Sequence, residues 1–327
     1  MRACVTTTDG RVAVEQRPDP VPGPGEVLVR VAGAGVNQAD LLQRAGHYPA
    51  PPGSPADVPG LEFAGTVVAL GSGVTGPATG TRVMGIAGGG GQAELITVPV
   101  GQCATVPGGV DLVRAGGIPE AFVTAHDALV TQGGMASGDV VLIHAVGSGV
   151  GTAALQIAAA VGAITVGTSR TPDKLDQARG LGLGHAVLVP GEVDPDAVAA
   201  EIRAAAGRGI DVTIDLVGGR YVGIDVRAAA PGGRIIIVSA AGGGRAEIPV
   251  LTVMQQRLRI QGTVLRPRSI DEKVVATAAF ARDVVPFLAS GRIAPVIADV
   301  LPLAEANAAY DRLAGAGVFG KLVLDCT

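Results

Sequence analysis

The stretch IHAVGSGVGTAALQ, residues 143–156, decides the fold. Gly147, Gly149 and Gly151 stand between an apolar run ending at His144 and the alanine-rich run TAALQIAAAVG (152–162). Glycine lets a backbone turn sharply and approach a bulky anion, because no Cβ intervenes. A helix that follows such a turn presents free N–H groups and a partial positive charge, which suit a pyrophosphate. The spacing does not match G-x-G-x-x-G from Gly147 or Gly149, so the glycines alone say little. Their place between a strand and a helix, with a second strand following, marks a dinucleotide turn. The bland alternative is a tight structural turn with no ligand.

Outward from the turn, strands and helices alternate. DVVLIHA (139–145) and AITVGTS (163–169) have the β-branched, apolar character of buried strands. Helix PDKLDQARGLG (172–182), strand AVLVP, helix DAVAAEIRAAAG (196–207), strand DVTIDLVG (211–218) and strand RIIIVSA (234–240) follow. This alternation predicts a parallel sheet with right-handed crossovers. No Asp, Glu, Lys or Arg occurs from Val140 to Ser169. Hydropathy alone would suggest a membrane span there. The GSGVG interruption instead predicts strand, turn, helix and strand.

The flanks differ. VLVRVAGAGV (27–36) and TVVALGSGV (66–74) read as strands ending in glycine-rich turns, and HYPAPPGSPADVPG (47–60) as a long irregular loop. LRIQGTVL (258–265) reads as a strand. SIDE (269–272) is a capping box opening a helix that runs to near Gly291. Helix EANAAYDRLAGAG (305–317) and strand KLVLD close the chain. The pattern predicts an α/β protein in which a nucleotide domain, 119–258, is inserted between two pieces, 1–118 and 259–327, of a β-rich catalytic domain.

The second strand of the alternation sets the cofactor. It runs GTSRTPDK (167–174), placing Thr168, Ser169, Arg170 and Lys174 at its tip, with Asp173 past it. An NAD enzyme usually carries Asp or Glu there for the ribose hydroxyls. Two cations and several hydroxyls suit a phosphate instead, through charge-assisted hydrogen bonds. NADPH is therefore favoured over NADH. Val217 and Ser239, near the ends of DVTIDLVG and RIIIVSA, join the candidate cofactor contacts.

Composition narrows the function classes. The 327 residues carry a formal charge of −4, which gives no electrostatic reason to expect a nucleic-acid or anionic-membrane partner. Three distant cysteines, Cys4, Cys103 and Cys326, offer no disulfide framework or CxxC pair, and point to a reducing, cytoplasmic location. The N-terminus lacks the apolar core of a signal peptide. His47, His126, His144 and His185 are scattered, and a zinc dehydrogenase needs clustered Cys, His and carboxylate ligands. No metal site is expected, and His144 reads as a packed strand-end residue.

Several segments resemble the zeta-crystallin-like quinone oxidoreductases, zinc-free members of the medium-chain dehydrogenase/reductase superfamily. They are VNQADLLQRAGHYP (36–49), PGLEFAGTVVALGSGV (59–74), GGGGQAELITVP (88–99), IPEAFVTAHDAL (118–129), HAVGSGVG (144–151), GTVLRPR (262–268) and GKLVLD (320–325). The likeness runs essentially end to end. It implies a split GroES-like catalytic domain, an inserted Rossmann domain with a doubly wound parallel sheet, and a homodimer joined through that sheet. Either RIIIVSA or LRIQGTVL would supply the open edge. Lys174 matches the family's phosphate-binding lysine, and Ser148, Gly149 and Val150 its pyrophosphate loop. The nicotinamide pocket falls near Asn37, Tyr48, Thr124, Leu265 and Lys321. Zinc relatives carry a histidine where Leu61 stands. The chain departs from the family where Val189 replaces an adenine-side tyrosine, where Arg170 replaces a common glycine, and where HAG reads HAV.

The resemblance implies NADPH-dependent hydride transfer to a quinone or conjugated carbonyl. An oxygen gaining charge is stabilised by a hydroxyl or amide donor. Tyr48 and Asn37 are the candidates, with Asp40 to orient them. Two roles are open to Tyr48, donor or cofactor cover. Two alternatives stand beside quinone reduction: reduction of a 2-enal or enoyl double bond, and NADPH binding without turnover.

Overall fold

In the computed structural model, residues 1–191, 194–315 and 317–327 are described. Ala316, inside the helix expected over 305–317, lies outside them. The chain forms two compact units, Met1–Val123 with Leu265–Thr327, and Thr124–Val264.

The Thr124–Val264 unit is built on a six-stranded sheet whose neighbouring pairs all run parallel. Its spatial order is His185–Leu188, Ile164–Ser169, Val140–Ile143, Ile210–Asp215, Ala229–Ile237, Arg259–Gly262. The first strand in sequence, Val140–Ile143, sits inside the sheet and is buried throughout. Burial on both faces explains its uninterrupted apolar run. Chain order reverses on either side of it, and open α/β sheets bind ligands at the carboxyl ends of strands at such a switch point. The uncharged stretch from Val140 to Ser169 is strand, turn, helix Gly149–Val161, and strand. Among the described residues no helix is long and apolar enough to cross a membrane. Of the two strands expected at an open edge, Ala229–Ile237 lies inside the sheet and Arg259–Gly262 is outermost. An interior strand has both ladders of N–H and C=O groups satisfied, so RIIIVSA cannot offer a free edge.

The other unit holds a seven-stranded sheet and a separate antiparallel hairpin, Arg2–Thr6 with Val12–Gln16. At the sheet's centre lies the long strand Glu26–Val36, which pairs with Glu62–Leu70, Leu95–Pro99 and Lys321–Asp325. Its alternate residues Val27, Val29 and Val31 enter a core with Phe63, Tyr310 and Leu322. The partner change along this strand has a consequence for the site. Leu322 stands opposite Val36, and Phe63 opposite Ala34. Residues far apart in the chain, Lys321 and Glu62, are thereby drawn to Asn37.

Residues 47–60 contain no helix or strand, as their proline and glycine content predicts. The SIDE capping box forms, with Ser269 N–H donating to Glu272 Oε2 at 2.9 Å. Its helix ends earlier than expected, at Asp283, and a separate short helix covers Val285–Ala289. Pro286 lacks the N–H that would continue the first helix.

Candidate functional site

In the Thr124–Val264 unit the backbone builds the site. After Ile143 the chain reverses at Ala145, whose φ of 49° is a left-handed conformation that side-chain-bearing residues rarely adopt. Ser148 then caps the helix Gly149–Val161, its Oγ accepting from Gly151 N–H at 3.1 Å. A Cβ on Gly151 would lie 2.4 Å from the Ala145 carbonyl oxygen, so only glycine fits there. The N–H groups of Gly149 and Val150 belong to the first helical turn and have no partner within the helix. Ser148, Gly149 and Val150 thus form an anion cradle at the switch point.

The next strand ends in two cations. Arg170 is exposed and Lys174 partly buried. Among the described residues neither forms an ion pair. Burial, and then the charge of Arg170, hold the Lys174 pKa below its ordinary value. An anion between them would relieve that repulsion. Ser169 Oγ accepts from Thr171 N–H at 3.2 Å. Thr168 differs from its expected role. It is buried, and its Oγ1 lies 2.8 Å from His144 Nδ1, so the hydroxyl faces the core. Val217 and Ser239 follow parallel strands and stand at the same sheet edge as the glycine turn. Val217 N–H donates to Asp215 Oδ1 at 2.8 Å, and Ser239 Oγ accepts from Ala241 N–H at 3.2 Å. Thr124 is buried.

His144 is more than a packed ring. Its Nε2 lies 2.7 Å from Asp225 Oδ1, both fully buried. Burial pulls the imidazole pKa down, but the charge and hydrogen bond of Asp225, with Asp215 behind, raise it overall. Tyr221 packs edge-on against it, with ring centroids 4.8 Å apart, and feels the charge of Arg170. Val189 is buried, so Tyr221 is the aromatic ring near the strand tip. The sequence offered one signal for it, its place in GGRY directly after a strand.

In the other unit charged side chains meet inside. Lys321 Nζ lies 2.6 Å from Glu62 Oε1, 3.1 Å from the Val36 carbonyl and 2.5 Å from Asn37 Oδ1. Two hydrogen bonds and one ion pair tie Lys321 to Val36, Asn37 and Glu62, so it works as an internal clamp. Glu62 also accepts from Asn37 Nδ2 at 3.0 Å and from Glu120 N–H at 2.9 Å. A Cβ on Gly35 would lie 2.1 Å from Glu62 Oε1, so glycine makes room for the carboxylate. Asp40 is fully buried and accepts from Asn37 N–H at 2.8 Å, from Gly60 N–H and from Gln92 Nε2. Burial pushes its pKa up to about 6, against those bonds and the charge of Lys321. Asp40 therefore holds Asn37 in place from behind.

Arg266 is buried and donates to the Gly88 carbonyl, the Tyr48 carbonyl and Gln43 Oε1, at 2.9, 2.9 and 2.6 Å. Its guanidinium lies 5.0 Å from the Tyr48 ring centroid. The loop bearing Tyr48 is thus anchored by an arginine from GTVLRPR. Burial raises the Tyr48 pKa, Arg266 opposes that, and Glu120 adds to it. Leu265 is buried beside this arginine in sequence, and Leu61 is buried next to Glu62. Asn37, Asp40 and Lys321 are bonded into one network, and Tyr48 joins it through charge. Glu62, Gln92, Glu120, Arg266 and Lys273 belong to the same cluster and were missed by sequence reasoning. Four of them lie in segments that carry the resemblance: GLEFAG, GGGGQAELITVP, IPEAFV and GTVLRPR.

Residues 23–108 match the alcohol dehydrogenase GroES-like domain, and residues 149–279 the family described as zinc-binding dehydrogenase. A quinone oxidoreductase of Sus scrofa is 32% identical over 308 residues, 93% of this chain and 90% of that protein. The synaptic vesicle membrane protein VAT-1 homolog of Rattus norvegicus is 32% identical over 246 residues, and the chain spans only 60% of its length. Among solved structures, the quinone oxidoreductase of Thermus thermophilus, described with its NADPH complex, superposes with a TM-score of 0.83 at 31% identity, covering 99% of this chain and all of that one. The chain belongs to the medium-chain dehydrogenase/reductase superfamily, with the GroES-like and Rossmann-type parts of that fold. Although one family description names zinc, among the described residues no group of three or more His, Cys, Asp or Glu side chains is placed to hold a metal ion.

Proposed function

We propose that the protein is an NADPH-dependent, zinc-free reductase of the zeta-crystallin-like type, acting on quinones or similar conjugated carbonyls. The observation that carries the cofactor is the unpaired Arg170 and Lys174 beside the Ser148–Val150 cradle. A pyrophosphate suits the cradle and a ribose phosphate the two cations, with Tyr221 near the adenosine. NADPH, when bound, supplies the hydride. The chain's own residues hold the acceptor and manage the charge that forms on it. Tyr48 hydroxyl has no hydrogen-bond partner among the described residues and is anchored by Arg266, so it can point at an acceptor oxygen. Asn37 keeps one amide hydrogen beyond the one given to Glu62 and supports the same oxygen. Asp40 and Lys321 fix Asn37 from behind.

Steady-state oxidation of NADPH and NADH with para-quinones, 2-enals and simple aldehydes tests this. Turnover should be fastest with quinones and NADPH, with no stoichiometric zinc in the active protein. Equal use of both nicotinamides removes the phosphate assignment. A 2-enal or enoyl substrate that outruns every quinone transfers the reading to double-bond reduction. NADPH binding without turnover makes the protein a binder.

We also infer a homodimer. Strand Arg259–Gly262 is outermost in its sheet, and the neighbouring helix Val250–Gln256 leaves Val250, Leu251 and Met254 61–68% exposed. Light scattering at micromolar concentration should give twice the chain mass, and a monomer would refute it. Three free cysteines fit a reducing, cytoplasmic setting.

A further inference from the structure

Two acids of the Met1–Val123 unit sit side by side and are treated differently. Glu62 has both oxygens satisfied, by Lys321, Asn37 and the Glu120 N–H. Glu120 lies in the first turn of the helix Pro119–His126, and that N–H bond fixes its backbone. Glu120 is half-buried, and among the described residues its carboxyl has no hydrogen bond or ion pair. Lys273, on the helix Ile270–Asp283, is more than nine-tenths buried, yet its ammonium likewise has no partner among the described residues. Burial, the larger influence, lowers the Lys273 pKa, and the charge of Glu120 opposes that.

Glu120 is the group these side chains share. It is within electrostatic reach of Glu62, Lys321, Asp40 and Arg266, and Lys273 and Tyr48 in turn feel its charge. Those six come from two strands, the helix Gln38–Arg44, the Tyr48 loop, and the segment from Arg266 into the helix of Lys273. Burial, and next the charge of Glu62, push the Glu120 pKa up to about 8. It therefore keeps its proton at neutral pH, where a free glutamate does not. Burial raises the pKa of Tyr48, which makes the phenol a hydrogen-bond donor rather than a source of protons.

We propose that Glu120 is the proton donor of the reduction, with Lys273 placed to stabilise the carboxylate it becomes. This rests on the reductase reading above. Two-electron reduction of a quinone takes one hydride and one proton. The hydride, with both electrons, comes from NADPH, which leaves as NADP+. The proton leaves the Glu120 carboxyl and forms the O–H bond of the quinol. The Glu120 carboxylate, whose charge Lys273 and Arg266 feel, takes its next proton from water.

The test compares the parent with Glu120→Gln and Glu120→Asp. In the cofactor-free protein, infrared difference spectra should show a protonated carboxyl that disappears as pH rises through about 8 and is missing from Glu120→Gln. In turnover with NADPH and a para-quinone, the parent rate should fall about tenfold per pH unit on the alkaline side, as for a single essential acid. Glu120→Gln should turn over at least about tenfold slower at neutral pH, without that alkaline fall, while Glu120→Asp recovers both. NADPH affinity should stay within about twofold, because the proposed cofactor contacts are elsewhere. A Glu120→Gln protein with the parent's rate and alkaline limb overturns the donor role alone. So does a parent without the protonated carboxyl. A parent that oxidises NADPH with no quinone or enone tried overturns the reductase reading and the donor role together.

Discussion

The two units handle charge in opposite ways. In the Thr124–Val264 unit the candidate site is backbone and helix end, and its cations, Arg170 and Lys174, stand unpaired at the rim. In the other unit the charges turn inward, where Lys321, Glu62 and Asn37 satisfy one another, and among the described residues Glu120 and Lys273 beside them have no partner. The first arrangement leaves room for charge that a ligand brings. The second fixes the shape of a site and leaves one proton free to move.

The largest expected effect breaks the inward pairing. Lys321→Ala leaves Glu62 buried without its cation, which should cost about 3–5 kcal/mol in denaturant unfolding. Arg170→Ala, at an exposed and unpaired site, should change stability by no more than about 0.5 kcal/mol. Similar losses for both would erase the distinction between the two units.

Next in size is a pH effect. The folded-state pKa of Glu120 is raised from its ordinary value of 4.5 to about 8. Its contribution is therefore full below 4.5 and lost as pH rises through about 8. Thermal melts of the parent should lose on the order of a few kcal/mol between pH 5 and 9, and Glu120→Gln should lose clearly less. Parallel curves would mean that the carboxyl is ionised throughout.

Lys174→Ala sharpens the other side. Loss of one charged phosphate contact should weaken NADPH binding by about 1.5–3 kcal/mol and leave NADH nearly unchanged, read from nicotinamide fluorescence. An equal loss for both cofactors would place Lys174 elsewhere. The smallest effect belongs to Tyr48→Phe. Removing one neutral hydroxyl should lower turnover by about 0.5–1.5 kcal/mol of barrier and spare NADPH affinity. The reverse pattern would make Tyr48 a cofactor cover.

The same contrast explains what the sequence disclosed. The parallel sheet and the glycine turn were legible because their signals are local. Strand, turn and helix follow one another within residues 140–161, and a buried parallel strand announces itself as an apolar run. Strand faces were harder. Thr168 reads as a hydroxyl at the tip, but the pleat turns it toward His144. The charged cluster was mostly hidden. Asn37, Glu62 and Lys321 are brought together by the partner change along Glu26–Val36 and by the return of the chain's last strand. No spacing rule connects position 62 to position 321. Lys321 shows the risk of matching a position without its contacts. The resemblance puts it in the nicotinamide pocket, while in the structure its ammonium is tied to Glu62, Val36 and Asn37.

The turn at residues 145–151 also limits how this chain can vary. Ala145 is held in a conformation that costs an L-residue roughly 1–2 kcal/mol. Gly151 has no room for even a methyl group against the Ala145 carbonyl. Of the two positions, one is open to drift in a single direction, toward glycine, and the other is closed. Among descendants of this sequence, Arg170, Lys174 and the Tyr48 loop are free to diversify toward new cofactors and acceptors, while Gly151 stays fixed. New specificities would thus be reached by changing side chains around a backbone turn that itself has almost no neighbours in sequence space.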